Sequence, residues 1–301
     1  MIRRLCLLFL LLLGAAPAAA EPRPLDAGDR LFIQANVQWT VGHEIGHALI
    51  DQLQLPVFGR EEDAADMLGA LLLVLRRDAG LQPDFRERLK AIADGWLLEW
   101  LDDLKLDSSI PYWDQHSLDI QRLFTFTCLI FGSDPEHLRD LADTATLPVE
   151  RALYCPDEYA LAARSIDWVS QHYGRPAGEM PAPGAGRFRV TYETGGASRV
   201  RDLIEIVQAD PFVQEAADRL SERLRLPRDI GIVFTDCGNP DAFYNANTVE
   251  IVICYGLLEH FADYARRRHD PAPGRSLCDV PVTGMPAGRR YGCSAPAPPA
   301  P

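Results

Sequence analysis

Two imidazoles and a carboxylate fall within five residues, His43-Glu44-Ile45-Gly46-His47. On an α-helix, residues four apart share a face, so His43 and His47 can turn a ring nitrogen toward one point. Glu44 then lies about 100° round, placed to address a metal-bound water. The competing reading is two partly buried helical histidines with no ligand at all. After fourteen intervening residues, the run Glu62-Asp63-Ala64-Ala65-Asp66 opens a second segment, and Glu62 and Asp66 again lie four apart. A short connection lets Glu62 reach the same point as a third ligand. Asp66, one turn on, is placed to hydrogen-bond the outer nitrogen of a ligand histidine. Acidic residues also serve a helix start through its dipole, which is the bland account of this run. Two histidines and one glutamate with a fourth position open is the donor set of a catalytic zinc ion, and one Zn2+ is the cofactor these residues imply.

Helices must present these groups. Val37, Val41, Ile45, Ala48, Leu49 and Gln52 recur at helical steps, so a helix is expected from about Asn36 to Gln54, closed by Pro56 and Gly59. Leu31-Phe32-Ile33 is either a short strand or the start of that helix. Gly59 onward opens the second helix, which continues to Arg77. A third is expected over Pro83 to Lys105, with Phe85, Leu89, Ile92 and Trp96 on its buried face. A loop over Ser108 to Gln115 leads to a helix starting at Ser117 or Asp119. His116, at that junction, and Tyr112 are the candidate donors to a developing oxyanion, although a histidine beside a helix start also serves as a cap. His137, His172, His260 and His269 are read as surface residues.

The composition shifts further along. Residues 21–175 are expected to form a helical core, with more helix over Pro135 to Ala145 and Pro148 to Tyr173, and 176–186 a proline- and glycine-rich linker or loop. Residues 187–269 form a mixed segment packing on the core. Arg187 to Tyr192 alternates as a strand, Val200 to Leu224 is helical with a break at Pro211, and Tyr255 to Arg268 is helical. Gly231 to Thr235 and Val249 to Ile253 read as a small antiparallel sheet beside the metal-bearing helix, with an edge open to an extended peptide. The fold class is α+β, predominantly α-helical. Residues 270–301 have too few apolar side chains to build a core and are expected to be disordered.

Residues 1–20 read as a cleaved export signal: Arg3 and Arg4, the apolar run Leu5 to Leu13, then Ala18-Ala19-Ala20. The protein is therefore expected in the periplasm or outside the cell, with no membrane association after cleavage. With a formal charge of −13, nucleic acid is disfavoured as a partner. The remaining cysteines, Cys128, Cys155, Cys237, Cys254, Cys278 and Cys293, are even in number and lack CxxC spacing, which favours disulfides over a cysteine metal site. Neighbour pairing is the expectation, since each pair falls within one local unit.

The string HEIGHALIDQLQLPVFGREEDAAD, an HExxH followed by ExxAD, resembles the gluzincin peptidases, whose third ligand is a glutamate on the following helix. More narrowly it is similar to a bacterial metallopeptidase family known mainly as a domain of unknown function. The likeness continues through WDQHSLD, Gln121-Arg122, Cys128, the Arg151 to Tyr159 segment, CGNPDAFY and CYGLLEHF. The resemblance implies a zincin-like domain, His43, His47 and Glu62 as zinc ligands, Glu44 as general base and a peptide or protein as substrate. The rival is an exported protein that binds zinc without catalysis and acts as an interaction module.

Overall fold

Helix α1 (Ala27–Gln52) is apolar on almost every side, with Phe32, Ile33, Val41, Ile45 and Ala48 fully buried, so other elements must surround it. The computed structural model describes residues 23–103, 112–140, 147–176, 178–194 and 200–268. The expected export signal, the tail with Cys278 and Cys293, and His269 lie outside the described residues, as do parts of the stretches at Ser108 and Ala145.

α1 starts well before Asn36, and Leu31-Phe32-Ile33 is helical. Its cap explains the extension: Asp26 Oδ1 accepts from the Asp29 amide and Asp29 Oδ2 from the Asp26 amide, both at 2.9 Å. This reciprocal box uses aspartate where glutamate or glutamine is the usual third residue. Around α1 stand α2 (Glu61–Asp78), α3 (Phe85–Asp103) and α4 (Asp119–Ser133). The short α5 (Val149–Ala152) and the peripheral α6 (Cys155–Tyr173) pack outside α4, where a Cys128–Cys155 disulfide ties α4 to the start of α6. Then come β1 (Phe188–Tyr192), α7 (Arg201–Gln208) and α8 (Phe212–Arg223). The chain ends its described part with β2 (Ile230–Thr235), β3 (Ala242–Asn245), β4 (Glu250–Cys254) and α9 (Tyr255–Arg267).

The sheet corrects one expectation. Its order is β1-β2-β4-β3, and β2 and β4 run parallel, with Gly231 opposite Glu250, instead of forming an antiparallel pair. The reason lies in Ala242-Phe243-Tyr244-Asn245, which sequence reading left inside a long connection. These residues form a return strand that pairs antiparallel with β4, Ala242 opposite Ile253, so β4 comes back in the direction of β2. A Cys237–Cys254 disulfide joins the segment after β2 to the end of β4. The fold is α+β, predominantly helical, with a small mixed four-stranded sheet. His260 is a second correction: it is not a free surface group, because α9 lies on α3 and its Nε2 sits 2.7 Å from Glu99 Oε1.

Glycine sets the distance between α1 and α2. A Cβ on Gly46 would lie 2.8 Å from Ala65 Cα and 3.1 Å from Ala65 O, so the two backbones touch where any larger residue would hold them apart. Substituting Gly46→Ala is expected to lower stability despite the helix-propensity gain of about 1 kcal/mol, because overpacking costs about 1–3 kcal/mol. Urea unfolding reads the sign directly.

Candidate metal centre

The close approach at Gly46 sets the first turn of α2 against the His43–His47 face of α1. His43 Nδ1 lies 2.8 Å from Asp66 Oδ1, and His47 Nδ1 lies 2.8 Å from Glu61 Oε1. A carboxylate accepts, so each Nδ1 carries hydrogen and each neutral ring turns its lone pair out through Nε2. Those Nε2 atoms are 3.1 Å apart, and each is 3.3 Å from Glu62 Oε2. That oxygen is buried, and the groups that reach it among the described residues are all imidazoles. Three electron-rich atoms thus crowd one point, and a divalent cation fits there. Zinc–ligand distances of about 2.0–2.2 Å put tetrahedral ligand atoms about 3.3 Å apart.

The charges agree. Burial pulls the His43 and His47 imidazoles down, but hydrogen bonds to carboxylates, Asp66 and Glu62 for His43 and Glu62 and Glu61 for His47, more than reverse it. His43 is raised, and His47 is pushed up to about 9. Burial pushes the Glu62 carboxyl up, yet hydrogen bonds from His116, His43 and His47 hold it far below its usual range. Protons occupy the place of a cation here, and a metal must displace them.

Asp66 is held in turn. Arg122 on α4 donates through Nε to Asp66 Oδ2 at 2.8 Å and through a terminal nitrogen to Oδ1 at 2.6 Å, while its guanidinium lies 4.0 Å from the centre of the Trp96 ring. A line of contacts Arg122–Asp66–His43 therefore crosses three helices. His116, which precedes α4, sits with Nε2 2.9 Å from Glu62 Oε2, while its backbone amide donates to Asp114. It stands beside the cluster of three but outside it. Tyr112, the other candidate, is 79% exposed.

Glu44 faces a cleft of about 300 Å³ that His43, His116, Pro240, Asp241 and Ala242 also line. It is 5% exposed and makes no hydrogen bond or ion pair among the described residues. Burial pushes its carboxyl up, against the pull of His43 and His47. The far wall is fastened to α1 by Tyr244, which donates to Asp51 Oδ2 at 2.7 Å and accepts from Gln52 at 3.1 Å. The sheet thus stands beside the metal-bearing helix through β3 and β4, the second being one of the two strands expected there.

Sequence reasoning missed Glu61 and Arg122. Glu61 was legible only as one more acid in a first turn, although it precedes Glu62 and faces the other histidine. Arg122 lies 56 residues from Asp66, and no local spacing signals the pair.

Both raised imidazoles have folded pKa values above their unfolded value. Their stabilisation of the metal-free protein is complete below pH about 6.5 and is lost as pH rises through about 9 for His47. Thermal melting with chelator across pH 6 to 9.5 is expected to show that decline, and Glu62→Gln to flatten it. Arg122→Gln is expected to weaken metal affinity about 10- to 100-fold with stoichiometry unchanged, read by competition with a chromophoric chelator.

Comparison with curated proteins and with solved structures finds no match in either. Residues 29–170 and 192–278 match DUF4344, a family described as a putative metallopeptidase. Those two stretches make up most of the chain, and the protein belongs to that family.

Proposed function

We propose that the protein is a zinc-dependent peptidase of zincin-like, gluzincin type, with an HExxH helix and an ExxAD helix supplying His43, His47 and Glu62 as ligands. The observation that carries the reading is Glu44. A carboxylate buried to 5% exposure without a partner among the described residues is costly, and here it lines a cleft beside three convergent ligand atoms. Family membership supports the metal and the peptide bond.

When bound, zinc supplies Lewis acidity toward a carbonyl and a water. With a metal held by His43, His47 and Glu62, Glu44 would accept a proton from the attacking water and pass it to the leaving amine, a role its raised pKa suits. Asp66 and Glu61 fix the tautomers of His43 and His47, so that both Nε2 lone pairs face inward. We assign His116, whose Nε2 contacts Glu62, as donor to the developing oxyanion. β3 is the edge strand of the sheet next to the cleft, and its backbone is suited to aligning an extended peptide. We assign the protein to an exported, oxidising compartment, a reading the two disulfides support.

Glu44→Gln is the test. Hydrolysis of a peptide library is expected to fall about 10²- to 10⁴-fold while about one equivalent of zinc is retained. Unchanged hydrolysis would sink the assigned role, and a wild type that binds zinc yet cleaves nothing would favour the interaction module.

A further inference from the structure

Away from the metal cluster the cleft is lined by α1, α3 and α9, and there it pairs aromatic walls with a carboxylate. Trp39 and Trp96 meet edge to face with centroids 6.1 Å apart, and Leu257 and Phe261 complete an apolar lining. Glu99 lines the same space with its side chain 34% exposed. Two donors fix its orientation: His260 Nε2 at 2.7 Å on Oε1 and the Tyr264 hydroxyl at 2.9 Å on Oε2. Tyr264 stays protonated, since burial and the neighbouring Glu99 and Asp102 raise its pKa far above normal.

The charge count around Glu99 is one-sided. Asp102, which shares Tyr264, has Arg267 on both oxygens at 2.8 and 2.7 Å. Glu99 has no lysine or arginine within ion-pair distance among the described residues. Among the described residues one arginine lines the cleft, Arg122, which directs Nε and one terminal nitrogen to Asp66 and lays a guanidinium face on Trp96, while His43 and His116 lie at the metal end. Glu44 is likewise without a partner. The described lining thus carries four carboxylates, Glu44, Glu99, Asp119 and Asp241, and away from the metal end it sets Glu99 among Trp39, Trp96 and Phe261 with no lysine or arginine paired to it.

We infer that this cleft selects peptides carrying a cationic group near the scissile bond, with the alkyl stem on Trp39, Trp96 and Phe261 and the charge on Glu99. Lysine, arginine and a free α-amine share that chemistry. A cation entering such a space loses hydration, which Glu99 replaces with a charge-assisted hydrogen bond and the tryptophan faces supplement. An anionic side chain at this end would instead face the Glu99 carboxylate. The net charge of −13 adds long-range attraction for cations. This inference rests on the peptidase reading for its substrate, but its test does not depend on turnover.

The probes are blocked hexapeptides differing only in lysine or norleucine at one position, each with a free or acetylated amino terminus. Binding is measured to zinc-loaded Glu44→Gln protein through tryptophan fluorescence, and kcat/KM is measured on the wild type. A preference for the cationic probe on the order of tenfold is expected in both, shrinking to about twofold or less in Glu99→Gln backgrounds. Acetylation or norleucine substitution then identifies the amine or the side chain as its source. Equal binding of cationic and neutral probes overturns the inference, as does a preference that survives Glu99→Gln with zinc content and melting temperature intact. If Glu99→Gln does not fold, salt decides on the wild-type site: a preference of this origin weakens between 0.05 and 0.5 M salt, and one that does not weaken overturns it. Selective binding without hydrolysis removes the peptidase reading alone, and hydrolysis without selectivity removes this inference alone.

Discussion

Three lone pairs cannot share one small volume unless positive charge lies among them. In this chain His43 Nε2, His47 Nε2 and Glu62 Oε2 stand 3.1 to 3.3 Å from one another, and the donors on the far sides of both rings are committed to Asp66 and Glu61. Much of the architecture follows from keeping that arrangement. The glycine contact between α1 and α2 sets how near Glu62 comes, and a capping box far upstream lengthens α1 into a helix that the remaining elements enclose. Arg122 anchors Asp66 from a third helix. Each device holds an electrostatically unfavourable cluster that a bound cation turns into a favourable one.

The polar groups buried with α1 are organised toward the same end. Arg88 donates to Gln38, which pairs with Gln82, and Asn36 caps the Ala91 carbonyl from the opposite face. These contacts fix the rotation of α3 against α1, and with it the placement of Trp96 and Glu99 along the cleft. The β3 strand then closes the far wall through Tyr244. The cleft is thus bounded by elements from both ends of the chain, although its reactive groups come from α1 and α2.

How much was legible in the sequence divides along the range of the interactions. Helical phase puts His43 with His47 and Glu62 with Asp66, because three- and four-residue spacings translate directly into shared faces, and the short connection between the two helices was the signal that the pairs meet. The neighbouring disulfides Cys128–Cys155 and Cys237–Cys254 were legible for the same reason of locality. The sheet direction was not, since it turns on whether Ala242 to Asn245 pairs as a strand, and four residues with little alternation carry a weak signal. Arg122, Glu61 and the Glu99 cluster were also out of reach. Their roles depend on which helix lies against which, and spacing along the chain says nothing about that.

The most direct measurement is a crystal structure of zinc-loaded protein with anomalous data collected at the zinc edge. The account predicts one strong peak about 2.0–2.2 Å from His43 Nε2, His47 Nε2 and a Glu62 carboxylate oxygen, with the fourth position facing the cleft. A peak on other residues, coordination through an Nδ1 atom, or no zinc at this point would contradict it.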